Sequence, residues 1–394
     1  MSESLPLEGV KILDLSRLLP GPFCSLLLAD LGAEVLKVED TGLGDYVRWA
    51  PPYVGDEDDQ KRGVGSAQFN ALNRNKRSIR LDLKQEDARE VLLKLAAEYD
   101  VLLESFRPGV LDRLGVGYET LKEQNEALVY CAITGYGQDG PQRDRAGHDI
   151  NYLALNGLLA LTGPAGGGPA QLGAQIADIG GGAQNAAIAI LAALLKREST
   201  GKGSFIDISM TDGAMSWLAM PAARALEGEE LRRGKLELAG GFICYLPYEA
   251  ADGWVAVGAL EPKFWKSFCE GSGRPDLIEK QYEAPGSDAW RAVAEIIKSQ
   301  SREHWAAFGA EHDCCIDPVL EIEEALASDL AQKREMVIDV GTSRQVASPF
   351  KFDGERPGRR DPAPAFGEHT GKVLSELGYS DDEIDALQVA GAIA

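Results

Sequence analysis

Residues 10–39, VKILDLSRLLPGPFCSLLLADLGAEVLKVE, decide the fold, because they contain a strand, a helix and a second strand in close succession. The apolar run Val10–Leu15 is a short strand, and Pro20-Gly21-Pro22 breaks it and starts a helix. Gly32 ends that helix, since glycine suits the left-handed turn that closes a helix. Glu34–Glu39 forms the second strand. Such a unit predicts two parallel strands of one sheet.

The same alternation of strands and helices continues after residue 39. Further strands are predicted at Ser78–Leu83, Val101–Phe106, Ala127–Thr134 and Ser204–Met210, and an amphipathic helix at Gln85–Tyr99. The pattern predicts an α/β fold, with a Rossmann-like large domain whose mostly parallel sheet is covered by helices. The chain has no GxGxxG after the first strand and no GxxxxGK followed by Ser or Thr. The sequence features of dinucleotide and nucleoside-triphosphate enzymes are therefore excluded.

Turn residues and shifts in polarity divide the chain into residues 1–225, 226–330 and 331–394. The first part is the large domain, and its Gly- and Ala-rich stretch Ile176–Lys196 is predicted to form a buried helix. The second part begins with a polar linker and continues as short strands and then helices, which predicts a smaller α+β domain. The third part is a C-terminal segment with a hairpin at Val337–Phe352 and two short helices.

The net charge of −22 limits the partners of this chain. An acidic surface repels nucleic acid and anionic lipid, so we expect no nucleic-acid or membrane binding, and local cations must hold any anionic ligand. The N-terminal MSESLPLEGVKILDLS lacks the basic and apolar regions of a signal peptide. The six cysteines form no CxxC pair, so we expect reduced thiols and no metal site. These features indicate a cytoplasmic protein.

The stretch Arg145–Tyr152, RAGHDINY, contains one of only four histidines in the chain. His148 follows a glycine-bearing loop and precedes an apolar helical run, which places it at a helix N-terminus. The first amides of a helix are free and carry partial positive charge. A histidine there can act as a general base, and the amides around Asp149 can stabilise an enolate oxygen. From these residues alone, a structural histidine remains the alternative.

Two carboxylates are candidates for proton transfer. Asp178 lies in QIADIGGG between the apolar residues Ile176 and Ile179, and burial there raises the pKa of a carboxyl into a range useful for an acid or base. A helix N-cap is the structural alternative for this residue. Glu261 is the polar residue that ends the apolar strand in VGALEP. The alternative to a catalytic role is a structural turn residue.

Cations are concentrated in two segments of this acidic chain. Asn73–Arg80, NRNKRSIR, carries four cations in eight residues. Arg107 follows the predicted strand Val101–Phe106 at its carboxyl end, where ligands bind in open α/β sheets and where a guanidinium suits phosphate. Gly135–Gly137 follows the next strand, and its glycines allow a ligand or a tight turn close to the backbone. These segments predict a phosphate-bearing ligand, with solvated loops as the alternative.

Taken together, these segments resemble the family III CoA-transferase superfamily of the CaiB/BaiF type. The likeness spans the whole chain and depends on the order and spacing of PGPFC at 20–24, ADLGAE at 29–34, NKRS at 75–78, FRPG at 106–109, TGYG at 134–137 and GEHT at 367–370. Within the superfamily, GHDINY at 147–152 is most similar to the α-methylacyl-CoA racemase branch, because the transferases generally lack this histidine.

The resemblance implies roles for named residues. It implies an acyl-CoA substrate, no cofactor beyond the CoA moiety of that substrate, and His148 and Asp178 as the catalytic pair. It implies that Glu261 supports the histidine and that Asp149 and Tyr152 belong to the pocket. Residues implied to bind CoA are Arg17, Asn73, Asn75, Lys76, Arg80, Arg107, Gly135, Tyr136 and Gly137.

The resemblance also implies an assembly and a reaction. Two chains would interlock as a homodimer, Glu261 would come from either the same or the partner subunit, and the C-terminal segment would return to the large domain. The expected reaction is inversion of the α-carbon of 2-methyl-branched acyl-CoA thioesters by 1,1-proton transfer through an enolate.

Two other functions are compatible with the same residues. A family III CoA-transferase would use Asp178 to form an acyl-aspartyl anhydride and move CoA between carboxylates. A catalytically silent CoA-binding module would bind CoA without exchanging a proton. His148 favours the racemase over the transferase, and the presence of all three proton-handling candidates disfavours the silent module.

Overall fold

The computed structural model describes residues 5–394. Residues 1–4, the start of the segment that lacks a signal-peptide pattern, lie outside the described residues. The strands in chain order are β1 Lys11–Asp14, β2 Glu34–Glu39, β3 Lys76–Arg80, β4 Val101–Glu104, β5 Val129–Thr134, β6 Ser204–Ser209, β7 Tyr245–Ala250, β8 Gly253–Gly258, β9 Ile316–Pro318, β10 Val337–Val340 and β11 Ser343–Val346.

Helices connect and cover these strands. The α-helices in chain order are α1 Pro20–Asp30, α2 Glu57–Lys61, α3 Ala67–Asn73, α4 Glu86–Glu98, α5 Val110–Arg113, α6 Tyr118–Gln124, α7 Asp149–Leu155, α8 Leu158–Leu161, α9 Asn185–Thr200, α10 Met210–Ser216, α11 Ala219–Leu226, α12 Pro262–Gly271, α13 Asp288–Lys298, α14 Arg302–His312, α15 Ile322–Ala327, α16 Asp329–Lys333, α17 Thr370–Glu376 and α18 Asp381–Val389. A short π-helical segment occupies Ala177–Gln184, 3₁₀ segments occupy Tyr46–Trp49 and Pro275–Lys280, and Glu237–Gly241 is a turn with non-helical backbone angles at Ala239 and Gly240.

The chain divides into two compact units. The larger unit contains the residues up to Asn156, Ala174–Trp217 and Leu330–Ala394, and the smaller unit contains Gly157–Gly173 and Leu218–Asp329. The longer segment of the smaller unit runs from Leu218 to Asp329 and contains nearly all of the predicted second part, residues 226–330. The smaller unit also includes Gly157–Gly173, which lies within residues 1–225 of the predicted division.

The larger unit is built on a six-stranded sheet in the order β3-β2-β1-β4-β5-β6. Every neighbouring pair is parallel; for example, Ile12 of β1 pairs with Val35 of β2 on one side and with Val101 of β4 on the other. The predicted α/β fold with a parallel sheet is therefore confirmed. The strand order reverses between β1 and β4, and such a reversal opens a crevice at the carboxyl ends of the two strands.

Buried charges fix the turn that follows β1. Asp14 is fully buried, accepts a hydrogen bond from the amide of Ser16 at 2.9 Å, and lies 3.4 Å from the ammonium of Lys76. Burial alone would raise the pKa of Asp14, but nearby lysines and hydroxyls outweigh it and lower that pKa. The buried ammonium of Lys37 pairs with Asp45 at 3.0 Å and donates to the carbonyl of Ser16 at 2.9 Å. The sheet therefore holds this turn by specific ionic contacts.

The predicted buried helix at Ile176–Lys196 is only partly buried. The π-helical segment Ala177–Gln184 continues directly into α9, and this 24-residue stretch is long and apolar enough to cross a membrane, although 44% of its most apolar window is buried inside the protein. Gly181 faces α10 so closely that a Cβ there would lie 2.6 Å from the carbonyl oxygen of Met210. Further along the same stretch, Ile188 and Leu195 are 65% and 74% exposed. The glycine-rich start of the stretch is therefore closely packed, whereas α9 carries apolar side chains that are uncovered in the single chain.

The smaller unit combines an antiparallel sheet with helices, as an α+β prediction requires. Its strands are ordered β7-β8-β9, and both neighbouring pairs are antiparallel. Its core contains the buried aromatic residues Trp265, Phe268 and Trp305. In the larger unit, β10 and β11 form the hairpin predicted within Val337–Phe352.

Candidate active site

A cavity of about 570 Å³ opens in the larger unit at the carboxyl ends of three adjacent strands. The turn after β1, the turn after β4 and the turn after β5 all contribute to its wall. Seven residues predicted from sequence line it: Arg17, Arg107, Gly135, Tyr136, His148, Tyr152 and Asp178. The structure thus gathers half of the fourteen predicted site residues in one place.

His148 is the N-cap residue of α7, as the sequence predicts. Its backbone amide donates to Oδ1 of Asn151 at 3.0 Å, and its backbone carbonyl accepts from the amide of Asn151 at 2.8 Å. These reciprocal bonds fix the backbone on which the imidazole is carried. The side chain is exposed and lines the cavity, so the imidazole is accessible to a ligand.

Asp178 lies in the first turn of the π-helical segment Ala177–Gln184, and the N-cap of that segment is Ile176. The structural alternative, in which Asp178 serves only as the N-cap of this helix, is therefore wrong. The side chain is half-buried and lines the cavity. Burial raises the pKa of Asp178 to about 7, and the negative charge of Asp149 contributes to the increase. A carboxyl group with this pKa can both accept and donate a proton near neutral pH.

Asp149 connects the two elements that carry the candidate pair. Its Oδ1 accepts hydrogen bonds from the backbone amides of Ala177 at 2.7 Å and Asp178 at 3.0 Å. These are the first two amides of a helical segment and have no acceptor within it. Sequence reasoning assigned Asp149 to the pocket through its backbone amide, and it missed these side-chain bonds because their two ends lie far apart in the chain.

A pair of tyrosines packs against two glycines in the wall of the cavity. The rings of Tyr136 and Tyr152 meet edge to face, with centroids 5.1 Å apart, and the hydroxyl of Tyr152 donates to the carbonyl of Gly147 at 2.6 Å. A Cβ at Gly135 would lie 2.5 Å from the ring of Tyr152, and one at Gly147 would lie 2.6 Å from the hydroxyl of Tyr136. Glycine is therefore required at both positions.

Gly137, the last of the predicted glycines, has a turn-forming role. Its φ of 90° lies in the left-handed region, and its amide donates to Oγ1 of Thr134 at 2.9 Å. It is not among the residues that line the cavity. The prediction that it contacts CoA therefore has no support from its position.

The turn after β4 supports the cationic part of the wall. Buried Glu104 accepts a hydrogen bond from the amide of Phe106 at 2.6 Å, and burial raises the pKa of Glu104 to about 8. The guanidinium of Arg17 lies 5.7 Å from the centre of the Phe106 ring, and the amide of Arg17 donates to the hydroxyl of Ser105 at 3.4 Å. Arg107 follows in the same turn, with an exposed side chain.

The sequence did not predict two further arginines of the site or a second cavity. Arg143 and Arg145 also line the cavity of His148, and their position just before the Gly147 loop was a visible signal. A second cavity of about 750 Å³ lies at the carboxyl ends of β1, β2 and β3. Arg17 and Phe106 line both cavities, so the two adjoin at the point where the strand order reverses.

Three residues predicted to bind CoA are buried instead. The ammonium of Lys76 donates to Oδ1 of Asn73 at 2.9 Å, and the side-chain amide of Asn75 donates to Oδ1 of Asp30 at 2.8 Å. The side-chain amide of Asn73 donates in turn to the carbonyl of Phe69 at 3.0 Å. Asn73, Asn75 and Lys76 are at most 5% exposed. Their polar groups therefore bind the interior of the unit, and we do not carry them into the proposed CoA site.

Arg80 lies beside the second cavity. Its guanidinium donates to the carbonyl of Thr41, which lines that cavity, and stacks over the ring of Phe366 at 4.2 Å. Burial lowers the pKa of Arg80 from its ordinary value. The residue shapes the wall through Thr41, and direct contact with CoA stays a prediction.

Glu261 belongs to the smaller unit, where it is the N-cap residue of α12. Its carboxylate is exposed. Burial is the main cause that raises the pKa of Cys315, and the negative charge of Glu261 raises it further. Its role in supporting His148 stays a prediction.

Sequence comparison shows the family to which this chain belongs. The profile of CoA-transferase family III matches residues 7–370, so the chain is a member of CoA-transferase family III and an enzyme that acts on acyl-CoA thioesters. Alpha-methylacyl-CoA racemase of Mus musculus is 35% identical and aligns over 96% of this chain and 95% of its own length. Succinyl-CoA:glutarate CoA-transferase of Homo sapiens is 33% identical over 100% of this chain and 91% of its own.

A solved structure shares the architecture. The crystal structure of a CAIB/BAIF family protein from Brucella suis superposes with a TM-score of 0.83 at 31% identity, covering 95% of this chain and 100% of that chain. The resemblance to the CaiB/BaiF type stated from the sequence is confirmed. The relatives are similar to this chain at nearly equal identity, yet they carry out two reactions.

Proposed function

We propose that this enzyme is a racemase that inverts the α-carbon of 2-methyl-branched acyl-CoA thioesters. The observation that carries the proposal is that His148 and Asp178 line one cavity. A racemase needs two proton-transfer groups at one carbon, one for each face. A family III transferase needs only the carboxylate, so the accessible imidazole has a use in the first reaction and none in the second.

The proposed reaction breaks one C–H bond and forms another. In one direction, the Asp178 carboxylate removes the α-proton, the electron pair moves into the thioester carbonyl to form an enolate, and protonated His148 returns a proton to the opposite face. In the other direction, neutral His148 removes the proton and protonated Asp178 returns one. Because the pKa of Asp178 is raised to about 7, both of its forms are populated near neutral pH. The amides around Asp149 are the proposed donors to the enolate oxygen.

The two adjoining cavities fit the two ends of an acyl-CoA. The thioester would occupy the cavity of His148 and Asp178, and the nucleotide end would occupy the cavity of about 750 Å³. Arg17 lines both cavities, so its guanidinium is suited to the phosphates between the two ends. Arg107, Arg143 and Arg145 supply further positive charge, which an acidic chain needs for an anionic ligand.

The proposal includes the interlocked homodimer, support of His148 by Glu261, and a cytoplasmic location. The dimer can be tested by sedimentation equilibrium. A Glu261→Gln variant with an unchanged exchange rate would remove that residue from the mechanism.

The first experiment is uptake of solvent deuterium at the α-carbon of a chiral 2-methylacyl-CoA in heavy water. We expect deuterium incorporation together with loss of enantiomeric purity. A His148→Ala variant should lose about 10²- to 10⁴-fold in rate. The matched control is His304→Ala, which removes an exposed histidine of the smaller unit and should leave the rate unchanged. Full activity of the His148 variant would refute its role.

A family III CoA-transferase that acts through Asp178 is the second candidate. The 33% identity to a succinyl-CoA:glutarate CoA-transferase favours it, and Asp178 is accessible from the cavity. This function predicts an acyl-aspartate that hydroxylamine traps and an absolute need for an acceptor acid. CoA binding with neither exchange nor transfer would indicate a silent binding module instead.

A further inference from the structure

The side chain of Asp149 ties the start of the His148 helix to the start of the Asp178 helix. Its Oδ1 accepts the amides of Ala177 at 2.7 Å and Asp178 at 3.0 Å, while its own backbone is the first residue of α7. A side chain that caps a helix usually belongs to the residue just before it, whereas this one comes from another element. One carboxylate therefore sets the separation of two backbones that each carry a candidate proton-transfer group.

The same contact places a negative charge beside the carboxyl of Asp178. A like charge favours the protonated form of its neighbour. Burial is the larger influence on the pKa of Asp178, and Asp149 is the charge that adds to it. Asp149 thus contributes both to the position of Asp178 and to its proton affinity.

Other titratable groups surround Asp178 from the elements packed against it. Tyr152 of α7 feels the charge of Asp178, and its pKa is raised by burial and by that charge. Tyr136 after β5 and Arg107 after β4 line the same cavity. Asp212 lies in the first turn of α10. Asp207 of β6 accepts a hydrogen bond from the backbone amide of Gln138 at 2.9 Å. Among the described residues, only Asp149 bonds the backbone of Asp178 and also shifts its charge balance.

We propose that Asp149 is a positioning residue that fixes Asp178 relative to His148 and favours the protonated form of the Asp178 carboxyl. The inference rests on the proposed function for its catalytic meaning. The two effects are separable by substitution. Asn at this position keeps an acceptor oxygen for both amides and removes the charge, whereas Ala removes the acceptor and the charge together.

The first test reads the titration of Asp178 directly. Infrared difference spectra, taken against the same protein carrying Asp178→Asn, isolate the band of the protonated carboxyl across a pH series. We expect the midpoint to move by about one pH unit toward acid in Asp149→Asn. Asp149→Ser, which also keeps an acceptor oxygen without charge, should move it similarly and replaces the first variant if that one does not fold. An unchanged midpoint in the folded variant overturns the electrostatic half of the proposal.

The second test compares deuterium uptake by the wild type, Asp149→Asn and Asp149→Ala. In Asp149→Asn, the pH profile should move with the infrared midpoint, while the maximal rate stays within about threefold. In Asp149→Ala, we expect a loss of about 10²-fold in kcat with little change in KM, since displacing a reacting group by about 1 Å costs that much. Equal maximal rates in the two variants overturn the positioning half. If the wild type shows no uptake, the racemase proposal fails, and the infrared midpoint still decides the role of Asp149.

Discussion

Replacing Asp178 with Asn should stabilise this enzyme while it abolishes exchange. Burial and Asp149 raise the pKa of Asp178 from 3.8 to about 7. A difference of this size corresponds to about 4 kcal/mol between the two protonation states. Because the side chain is only half-buried and solvent screens its charge, we expect about 2 kcal/mol in practice.

The sign follows from proton linkage. A carboxyl whose pKa is raised in the folded state contributes full stability below its unfolded pKa, and that contribution is lost as the pH rises through the folded pKa. The wild type therefore loses stability between the ordinary value of 3.8 and about 7, whereas the Asn variant does not. The variant should be about 2 kcal/mol more stable at about pH 8 and nearly equal to the wild type at about pH 4.

Urea denaturation at fixed protein concentration, repeated across this pH range, measures the effect. The matched control is Asp139→Asn, which neutralises an exposed carboxylate in the loop after β5 and should change the free energy of unfolding by less than about 0.5 kcal/mol at every pH. The Asp178→Asn variant could instead be less stable than the wild type at high pH, or the difference in stability could be independent of pH. Either result would show that the ionised carboxylate of Asp178 does not destabilise the folded protein.

Three further predictions concern the frame around the site. Gly181→Ala should cost about 1–3 kcal/mol by urea denaturation, because its Cβ would lie 2.6 Å from a backbone oxygen of α10, whereas Gly371→Ala in α17, with open space around it, should gain about 0.5 kcal/mol. Lys37→Met should cost about 3–5 kcal/mol in the same assay, since it leaves the buried carboxylate of Asp45 without its partner. Glu104→Gln should preserve KM for acyl-CoA within about twofold. It should raise the free energy of unfolding by ~2 kcal/mol above about pH 9, because ionisation of the buried wild-type carboxyl is costly there. A gain in stability at low pH would contradict this reasoning.

The central strands of the sheet could be predicted from sequence because they are buried on both faces. β4 and β5 are buried along their whole lengths, so they read as continuous apolar runs. The sequence predicts the third strand at Ser78–Leu83, whereas β3 is Lys76–Arg80. The error arose because Lys76 looks like a surface residue, and its partner Asp14 at the end of β1 is distant in sequence.

The candidate site was predictable where its signal is local and not where it depends on tertiary contacts. The position of His148 at a helix start follows from the glycine before it and the apolar run after it, all within a few residues. The raised pKa of Asp178 was foreseeable from its apolar neighbours, whereas the contribution of Asp149 was not. The cavity shared by Arg17 and Phe106 exists only because β1 and β4 are adjacent in the sheet.

The placement of the reacting groups outside the sheet has an evolutionary consequence. The strands supply a rigid, apolar frame, and the candidate side chains for proton transfer and phosphate binding lie on the turns beyond it. A lineage can therefore exchange one turn residue, such as an imidazole at position 148, without repacking the interior. Two relatives of nearly equal similarity to this chain are named for different reactions of CoA thioesters, which agrees with a site whose side chains lie on exchangeable turns.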